Sequence, residues 1–486
     1  MDYALLLDAF GRDHARHGLP GHPWSRQRLL HECLRAAIRD GTLAPGTRLL
    51  ATRALAQELG IARNTVLYAY EQLACEGFVI PDRRGTVVAR IAPAPRPRAA
   101  DAPQAGLARR AQNLRTVNGS AGDGLAFTPG VPDLRAFPRE QWRRLLDRAW
   151  RGLSAHQLNY GDPAGEPALR AAIADYLRAS RGVVCEPEQV FITDGTQSSL
   201  DLCAHACADA GDTAWIEDPG YGGALAAFRG AGLVVAGIAV DAEGIAPSAQ
   251  DWAARCPKLI YTTPSHQYPI GVVTSAARRL ALIDGARAAG ALIVEDDYDS
   301  EFRHEGPPLA AMQGLVADAP VLYCGTFSKT MFPALRIGFL VVPRGLAPQL
   351  AVMRAQSAAA GRTAEQLALA EFLRSGEFAL HLRRMRRLYR QRRGALVEAL
   401  ERHLGGHAVV EGASAGMHLA LRLPADGPAD VEIVRRMRAR EIVANALSAH
   451  ALPGGSPCNG LLLGYAQVPA EQMDELVRRL AAVILE

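Results

Sequence analysis

After Ile91 the chain reaches Leu107 without a large apolar residue, while Pro93, Pro95, Pro97 and Pro103 recur among alanine and arginine. Such a stretch cannot sustain a helix or a strand ladder and has nothing to bury. A chain of 486 residues broken in this way folds as two units, each with its own core. The reading is a compact unit over 20–90, a linker over 91–124, and a larger unit over 125–486.

Charge and cysteine usage exclude little. Lys and Arg number 54 against 50 Asp and Glu, a net charge of +4 that permits a local DNA-binding patch without demanding one. The eight cysteines are scattered with no CxxC pair, which suits a reduced interior. Cys203, His205 and Cys207 lie in an apolar run that reads as a buried helix. That helix turns His205 away from the two thiols, so no metal site is expected. Met1 to Phe10 carries Asp2 and Asp8 and no basic leader, and no apolar run reaches membrane-spanning length. A soluble, cytoplasmic protein is expected.

In the first unit, Leu29, Leu30, Cys33, Ala37 and Ile38 mark one face of a helix over Ser25 to Asp40, which Gly41 ends. Thr52 is placed to cap a short helix, Arg53 to Leu59. After Gly60, Arg63 to Glu76 reads as a third helix with Val66, Ala69, Tyr70 and Leu73 inward. Phe78–Ile80 and Thr86–Ala89 form a hairpin around a turn at Pro81–Gly85. This order is a winged helix-turn-helix, whose third helix reads the major groove of double-stranded DNA. Arg63, Asn64 and Thr65 lead that helix; arginine pairs with guanine and asparagine with adenine. Arg53, Arg83 and Arg84 are candidates for phosphate or minor-groove contacts.

The second unit alternates strand-like and helix-like segments, which predicts an α/β domain with a mainly parallel sheet. Of the 54 Lys and Arg residues only Lys258 and Lys329 are lysine. A guanidinium stays protonated, whereas an amine can form a Schiff base with an aldehyde. Lys329 sits in Gly325-Thr-Phe-Ser-Lys-Thr-Met-Phe-Pro-Ala-Leu-Arg336, with Thr326 and Arg336 available to a phosphate. Gly195, Thr196 and Gln197 follow the apolar run Val190–Thr193 and open a helix, a start suited to a phosphate dianion. Asp296 ends another apolar run, where a carboxylate can hold a pyridine nitrogen protonated, and Tyr298 can bond a phenolic oxygen. Together these residues describe a pocket for pyridoxal 5'-phosphate (PLP).

Residues 29–89 resemble the GntR family of bacterial regulators. The matching runs are Ala-Ile-Arg-Asp-Gly-Thr-Leu-Ala-Pro-Gly, Arg-Ala-Leu-Ala, Arg-Asn-Thr-Val and Ala-Tyr-Glu-Gln-Leu. That resemblance implies that Arg53, Arg63 and the wing arginines contact DNA. The family often has Pro-Ser-Ser-Arg where this chain has Leu50-Ala-Thr-Arg53, and a serine cap where this chain has Ala62; losing that cap costs about 1 kcal/mol locally. Residues 125–486 resemble fold-type I aminotransferases, which have a small C-terminal α+β subdomain. The match includes Asn159–Gly165, Glu217–Tyr221 and Tyr261–Gly271, and implies that Tyr221 stacks on the PLP ring. The two units in this order resemble the MocR subfamily. The resemblance implies a homodimeric transcriptional regulator of metabolic genes that senses PLP, or an amine or amino acid reacting at Lys329.

Two alternatives remain beside it, an active aminotransferase carrying a DNA-binding domain and a repressor whose large unit is only a scaffold. Aminotransferases usually clamp a substrate carboxylate with a C-terminal arginine, yet no arginine occurs between Glu441 and Val477. Gly223 stands where some amino-acid-sensing relatives carry arginine. The Arg-rich run His381 to Arg393 reads as a solvated helix with its arginine stems laid over apolar surface.

Overall fold

The computed structural model describes residues 1–17, 24–90, 106, 108–112, 126–306, 308–357, 361–455 and 458–486. Most of the Pro-rich segment, and Leu125, lie outside them. The chain divides into two compact units, Met1–Gly106 and Leu107–Glu486.

The first unit contains α1 (Tyr3–His17), α2 (Arg26–Arg39), α3 (Thr52–Glu58), α4 (Arg63–Cys75), and a hairpin of β1 (Val79–Asp82) and β2 (Gly85–Val88). Ser25 caps α2, its hydroxyl accepting from the Arg28 amide at 3.3 Å. The buried face of α4 is Val66, Ala69, Tyr70 and Leu73, the four positions that helical periodicity selects. Burying each larger apolar side chain contributes about 1.5–3 kcal/mol.

Two local expectations are corrected. Ala51, not Thr52, occupies the cap of α3, and the Thr52 hydroxyl instead accepts from Arg63 Nε at 3.4 Å. The hairpin turn is tighter than Pro81–Gly85: Asp82 pairs with Gly85, leaving Arg83 and Arg84 at the tip. Helix α1, which the sequence reading did not place, extends this core through buried Tyr3, and the Tyr3 amide donates to Glu58 at 2.9 Å.

The second unit holds an eight-stranded sheet. Its strands are β3 (Val190–Thr193), β4 (Thr213–Asp218), β5 (Val234–Asp241), β6 (Gly244–Ile245), β7 (Leu259–Thr262), β8 (Leu292–Asp297), β9 (Val321–Thr326) and β10 (Gly338–Val341). Spatially they run β3-β10-β9-β8-β7-β4-β5-β6. The central run β5-β4-β7-β8-β9 is parallel, while β10 pairs antiparallel with both β9 and β3. Parallel strands covered on both faces carry continuous apolar runs, and β7 and β9 are buried throughout. The carboxyl ends of β4, β7, β8 and β9 lie side by side, the edge where an open α/β sheet receives ligands.

A smaller antiparallel sheet follows, ordered β11-β12-β14-β13, from β11 (Val409–Glu411), β12 (His418–Arg422), β13 (Asn445–Ala446) and β14 (Gly460–Gly464). The long helix Glu377–Leu404 precedes it. The expectation of a solvated arginine face holds only in part there. Arg386 donates to the Glu301 carbonyl at 2.6 Å, and Arg393 to the Ala413 carbonyl at 2.7 Å. Arg392 is buried and pairs with Asp133 at 2.7 Å. Fork-shaped donors satisfy carbonyls that helix ends and loops leave open.

Candidate functional site

Strand alternation sorts three consecutive carboxyl groups at the end of β8. Glu295 and Asp297 share one face and Asp296 takes the other. Glu295 accepts from the Met312 and Gln313 amides at 2.9 and 3.1 Å. Asp297 accepts from Arg181 Nε at 2.7 Å and from the Tyr323 hydroxyl at 2.6 Å. Asp296 alone of the three lines the cavity of about 350 Å³ that also holds Lys329. Its Oδ2 accepts from the Tyr261 hydroxyl at 2.8 Å, and its Oδ1 is buried without a hydrogen-bond partner. Burial pushes the Asp296 carboxyl up to about 7; the Tyr261 hydrogen bond and Lys329 oppose that rise and Asp297 adds to it.

Lys329 follows β9 and reaches into the same cavity. Its Nζ donates to the Gly130 carbonyl at 2.7 Å. Gly130 has φ +74°, and a Cβ there would lie 3.0 Å from Nζ, so glycine suits both the backbone and the close approach. Burial lowers the Lys329 pKa against the pull of Asp299 and Asp296, and Arg336 lowers it further. An amine whose pKa is lowered is a better nucleophile near neutral pH.

The phosphate-binding candidates converge at one end of the cavity. Thr196 and Gln197 start the Thr196–Cys207 helix, and Gln197 Nε2 donates to the Gly223 carbonyl at 3.1 Å. A Cβ added at Gly195, the residue before the helix, would lie 3.5 Å from the Arg336 guanidinium. A cation held against a helix N-terminus is unfavourable alone and favourable with an anion between them. Thr326 is buried at the end of β9 and its hydroxyl accepts from the Ser328 amide at 3.2 Å. All of these except Gly195 line the cavity.

Tyr221 lines the cavity at a ring-centroid distance of 6.4 Å from Tyr261 and 5.7 Å from Tyr268. Burial pushes its phenol up to about 12, with Asp296 adding to the rise. A Cβ at Gly223 would fall 2.4 Å from the Tyr221 ring, so the missing side chain is what lets that ring lie where it does. Tyr298 also lines the cavity, but its hydroxyl is turned to His266, donating to the carbonyl at 3.0 Å. Sequence reading missed Tyr261, Tyr268, Ser328, His418, Arg438 and Asn445 as members of this cavity. Arg438 stands three residues before the interval in which the sequence reading found no arginine, and only the fold brings it to this wall.

The structure places Cys203 in the core and His205 at the surface, the His205 ring bonding the Asp201 carbonyl at 2.8 Å.

In the first unit, Arg63 and Asn64 are exposed at the start of α4, and Thr65 beside them is half-buried. No acidic residue lies in that turn, and Ala62 gives it no side-chain cap. The Thr65 amide donates to the Ala62 carbonyl at 2.9 Å, and no side chain caps the turn against an anion. Arg53 is exposed on α3, and Arg83 and Arg84 at the hairpin tip. Arg48, which carries no periodic signal, braces the hairpin by donating to the Arg84 carbonyl and, at 3.4 Å, to Asp82.

Among the described residues no helix is long and apolar enough to cross a membrane. Residues 28–88 match the family described as bacterial regulatory proteins, gntR family, and residues 131–480 match aminotransferase class I and II. A probable rhizopine catabolism regulatory protein of Rhizobium meliloti, MocR, is 40% identical over 95% of this chain and 94% of its own. The pyridoxine biosynthesis transcriptional regulator PdxR of Corynebacterium glutamicum is 32% identical over 92% of this chain and 93% of its own. The α-aminoadipate aminotransferase LysN of Thermus thermophilus superposes with a TM-score of 0.71. It is 27% identical, over 78% of this chain and 97% of its own.

Proposed function

This chain belongs to the MocR subfamily of GntR-type transcriptional regulators, and we propose that it binds operator DNA through its first unit and a PLP-linked signal through its second. The observation that carries the cofactor reading is Asp296. Its Oδ1 is buried and unpartnered, and the residue lines a cavity that Lys329 and Arg336 also line. Those are the partners a protonated pyridine nitrogen, an aldehyde and a phosphate require. The aminotransferase fold family is PLP-dependent, and the cofactor when bound supplies an aldehyde and an electron-withdrawing ring.

The protein groups divide the work. Asp296 holds the ring nitrogen's proton. Lys329 gives the covalent attachment. Gly195, Thr196, Gln197, Thr326 and Arg336 take the phosphate, and Tyr221 stacks on the ring. Tyr298 serves the ring oxygen by turning its proton away from the His266 carbonyl. In the first unit, Arg63, Asn64 and Thr65 read bases, while Arg53, Arg83 and Arg84 neutralise phosphates. The working unit is a homodimer in the cytoplasm. Tyr160 is 93% exposed and Leu158 65% exposed within the Asn159–Gly165 stretch or beside it, a surface suited to cover by a second copy.

The effector is PLP itself or an amine that competes for Lys329. Its effect on DNA arises if the two occupancies favour different arrangements of the DNA-reading units. Fluorescence anisotropy with the chain's own upstream DNA, at fixed salt, tests this with cofactor-free and PLP-loaded protein. A change of affinity on loading with PLP alone makes PLP the effector; equal affinity moves the search to amines. A visible absorption band lost in Lys329→Ala tests the attachment. The second reading, an aminotransferase, is favoured by Arg438 on the cavity wall, and keto-acid-dependent turnover of amino acids discriminates it.

A further inference from the structure

Three cationic residues line the cavity, Lys329, Arg336 and Arg438, against one acid, Asp296. Arg336 is given to a phosphate, Lys329 to an aldehyde and Asp296 to a ring nitrogen. Arg438 is the charged residue of the wall that is left without a role.

Arg438 stands in the last turn of the helix Asp430–Ala439. The arginines around it in the chain are neutralised. Arg435 and Arg436 pair with Glu432 at 2.7 and 2.9 Å, and Arg440, just past the helix, pairs with Glu486 at 2.8 Å. Among the described residues the Arg438 guanidinium has neither an ion pair nor a hydrogen bond. A cation at a helix C-terminus is worth about 0.3–1 kcal/mol, and Arg436 already supplies one in the same turn. That effect does not explain why the unpaired guanidinium is the one that lines the cavity.

The two arginines of the cavity come from different sheets. Arg336 precedes β10 and sits against the Gly195 turn, where a Cβ would lie 3.5 Å from its guanidinium. Arg438, Val443 and Asn445 line the wall from the segment that leads into β13. With Arg336 committed to a phosphate at the Gly195 turn, Arg438 is open to a second anion. A guanidinium offers parallel N–H donors that fit the two oxygens of a carboxylate, a match that a single hydroxyl cannot make. A ligand that competes for Lys329 is an amine, so one that meets both groups carries an amine and a carboxylate.

We propose that Arg438 binds the carboxylate of the amine that competes for Lys329, so that the effector is an amino acid. This rests on the PLP-linked reading given above. Arg438 is then a specificity-determining residue, supplied by the Asp430–Ala439 helix in a chain that has no arginine between Glu441 and Val477.

Full-length protein is loaded with PLP, and uptake is read from the visible band. It is then titrated calorimetrically with L-alanine, β-alanine and 4-aminobutanoate, each beside its methyl ester, which keeps the amine and removes the negative charge. At least one acid is expected to bind about tenfold tighter than its ester. Arg438→Gln is expected to bring that pair to equal affinity. Arg438→Lys, which keeps the charge without the fork, is expected to retain part of the preference. Esters that bind as tightly as their acids in all three pairs overturn the inference. So does an acid preference that survives Arg438→Gln, which assigns the carboxylate to another group. Loss of PLP uptake in Arg438→Gln overturns it as well and assigns Arg438 to the cofactor phosphate. Failure of the unsubstituted protein to take up PLP sinks the cofactor reading and this inference with it, whereas loaded protein that does not discriminate sinks only the latter.

Discussion

The Tyr261 hydroxyl donates to one oxygen of Asp296 at 2.8 Å and leaves the other oxygen buried with no partner. One bond orients the carboxyl group, and the residue lines the cavity with its second oxygen unmet. A group arranged in this way is destabilising in the cofactor-free chain and serves a ligand that brings a proton.

Asp296→Asn is therefore expected to have opposite effects on stability and on binding. The folded-state pKa is raised from 3.8 to about 7, so the native chain holds a proton that the unfolded chain has already lost. The cost of the buried charge is absent below about pH 4, grows towards pH 7 and is fully present above it. Removing the charge should stabilise the cofactor-free protein on the order of 1–3 kcal/mol at pH 8 and little at pH 4. Thermal unfolding at both pH values checks this. PLP affinity, followed by the visible band, should fall at least about tenfold.

Gly223→Ala is expected to weaken cofactor binding without unfolding the chain. The new Cβ would lie 2.4 Å from the Tyr221 ring and force it out of position. PLP titration of the variant should show a loss of about tenfold; unchanged affinity would mean that Tyr221 does not stack on the ring.

Arg63→Ala and Arg84→Ala should separate base reading from phosphate contact. Loss of Arg63 is expected to cost about 1–3 kcal/mol on the operator and less on random DNA. Loss of Arg84 should weaken both alike and reduce the salt slope by about one. Anisotropy titrations across a salt series on the two DNAs distinguish them.

Breaking the Arg392–Asp133 pair should be among the most damaging single changes outside the cavity. Both side chains are 10% exposed, and the pair joins residues 259 apart in sequence. Asp133→Leu is expected to cost about 3–5 kcal/mol, and the double change with Arg392→Leu distinctly less, because it leaves no unpaired charge. Denaturant midpoints of the single and double variants check the order.

Much of this was legible in the chain. The Pro-rich break, the 3.6-residue periodicity of α2 and α4, and the apolar runs that became β3 and β8 follow from local spacing. Asp296 was legible as an acid at the end of an apolar run, whereas which of the three adjacent acids lines the cavity is seen only in the fold. The helix caps and the arginines of the Glu377–Leu404 helix were read less well, since their partners lie in loops whose course no periodicity encodes.

The sequence by itself determined which elements form and which residue types are present for Schiff-base and phosphate chemistry, because both are written at short range. Only the tertiary structure decided which polar atoms remain unmet. Tyr261 satisfies half of Asp296 from 35 residues away, and Gly130 receives Lys329 across 199. His418 comes to the cavity from the second sheet, and Arg438 from the helix beside it. Whether a buried donor or acceptor is satisfied depends on its full shell of neighbours, and the chain assembles that shell only when distant segments pack together.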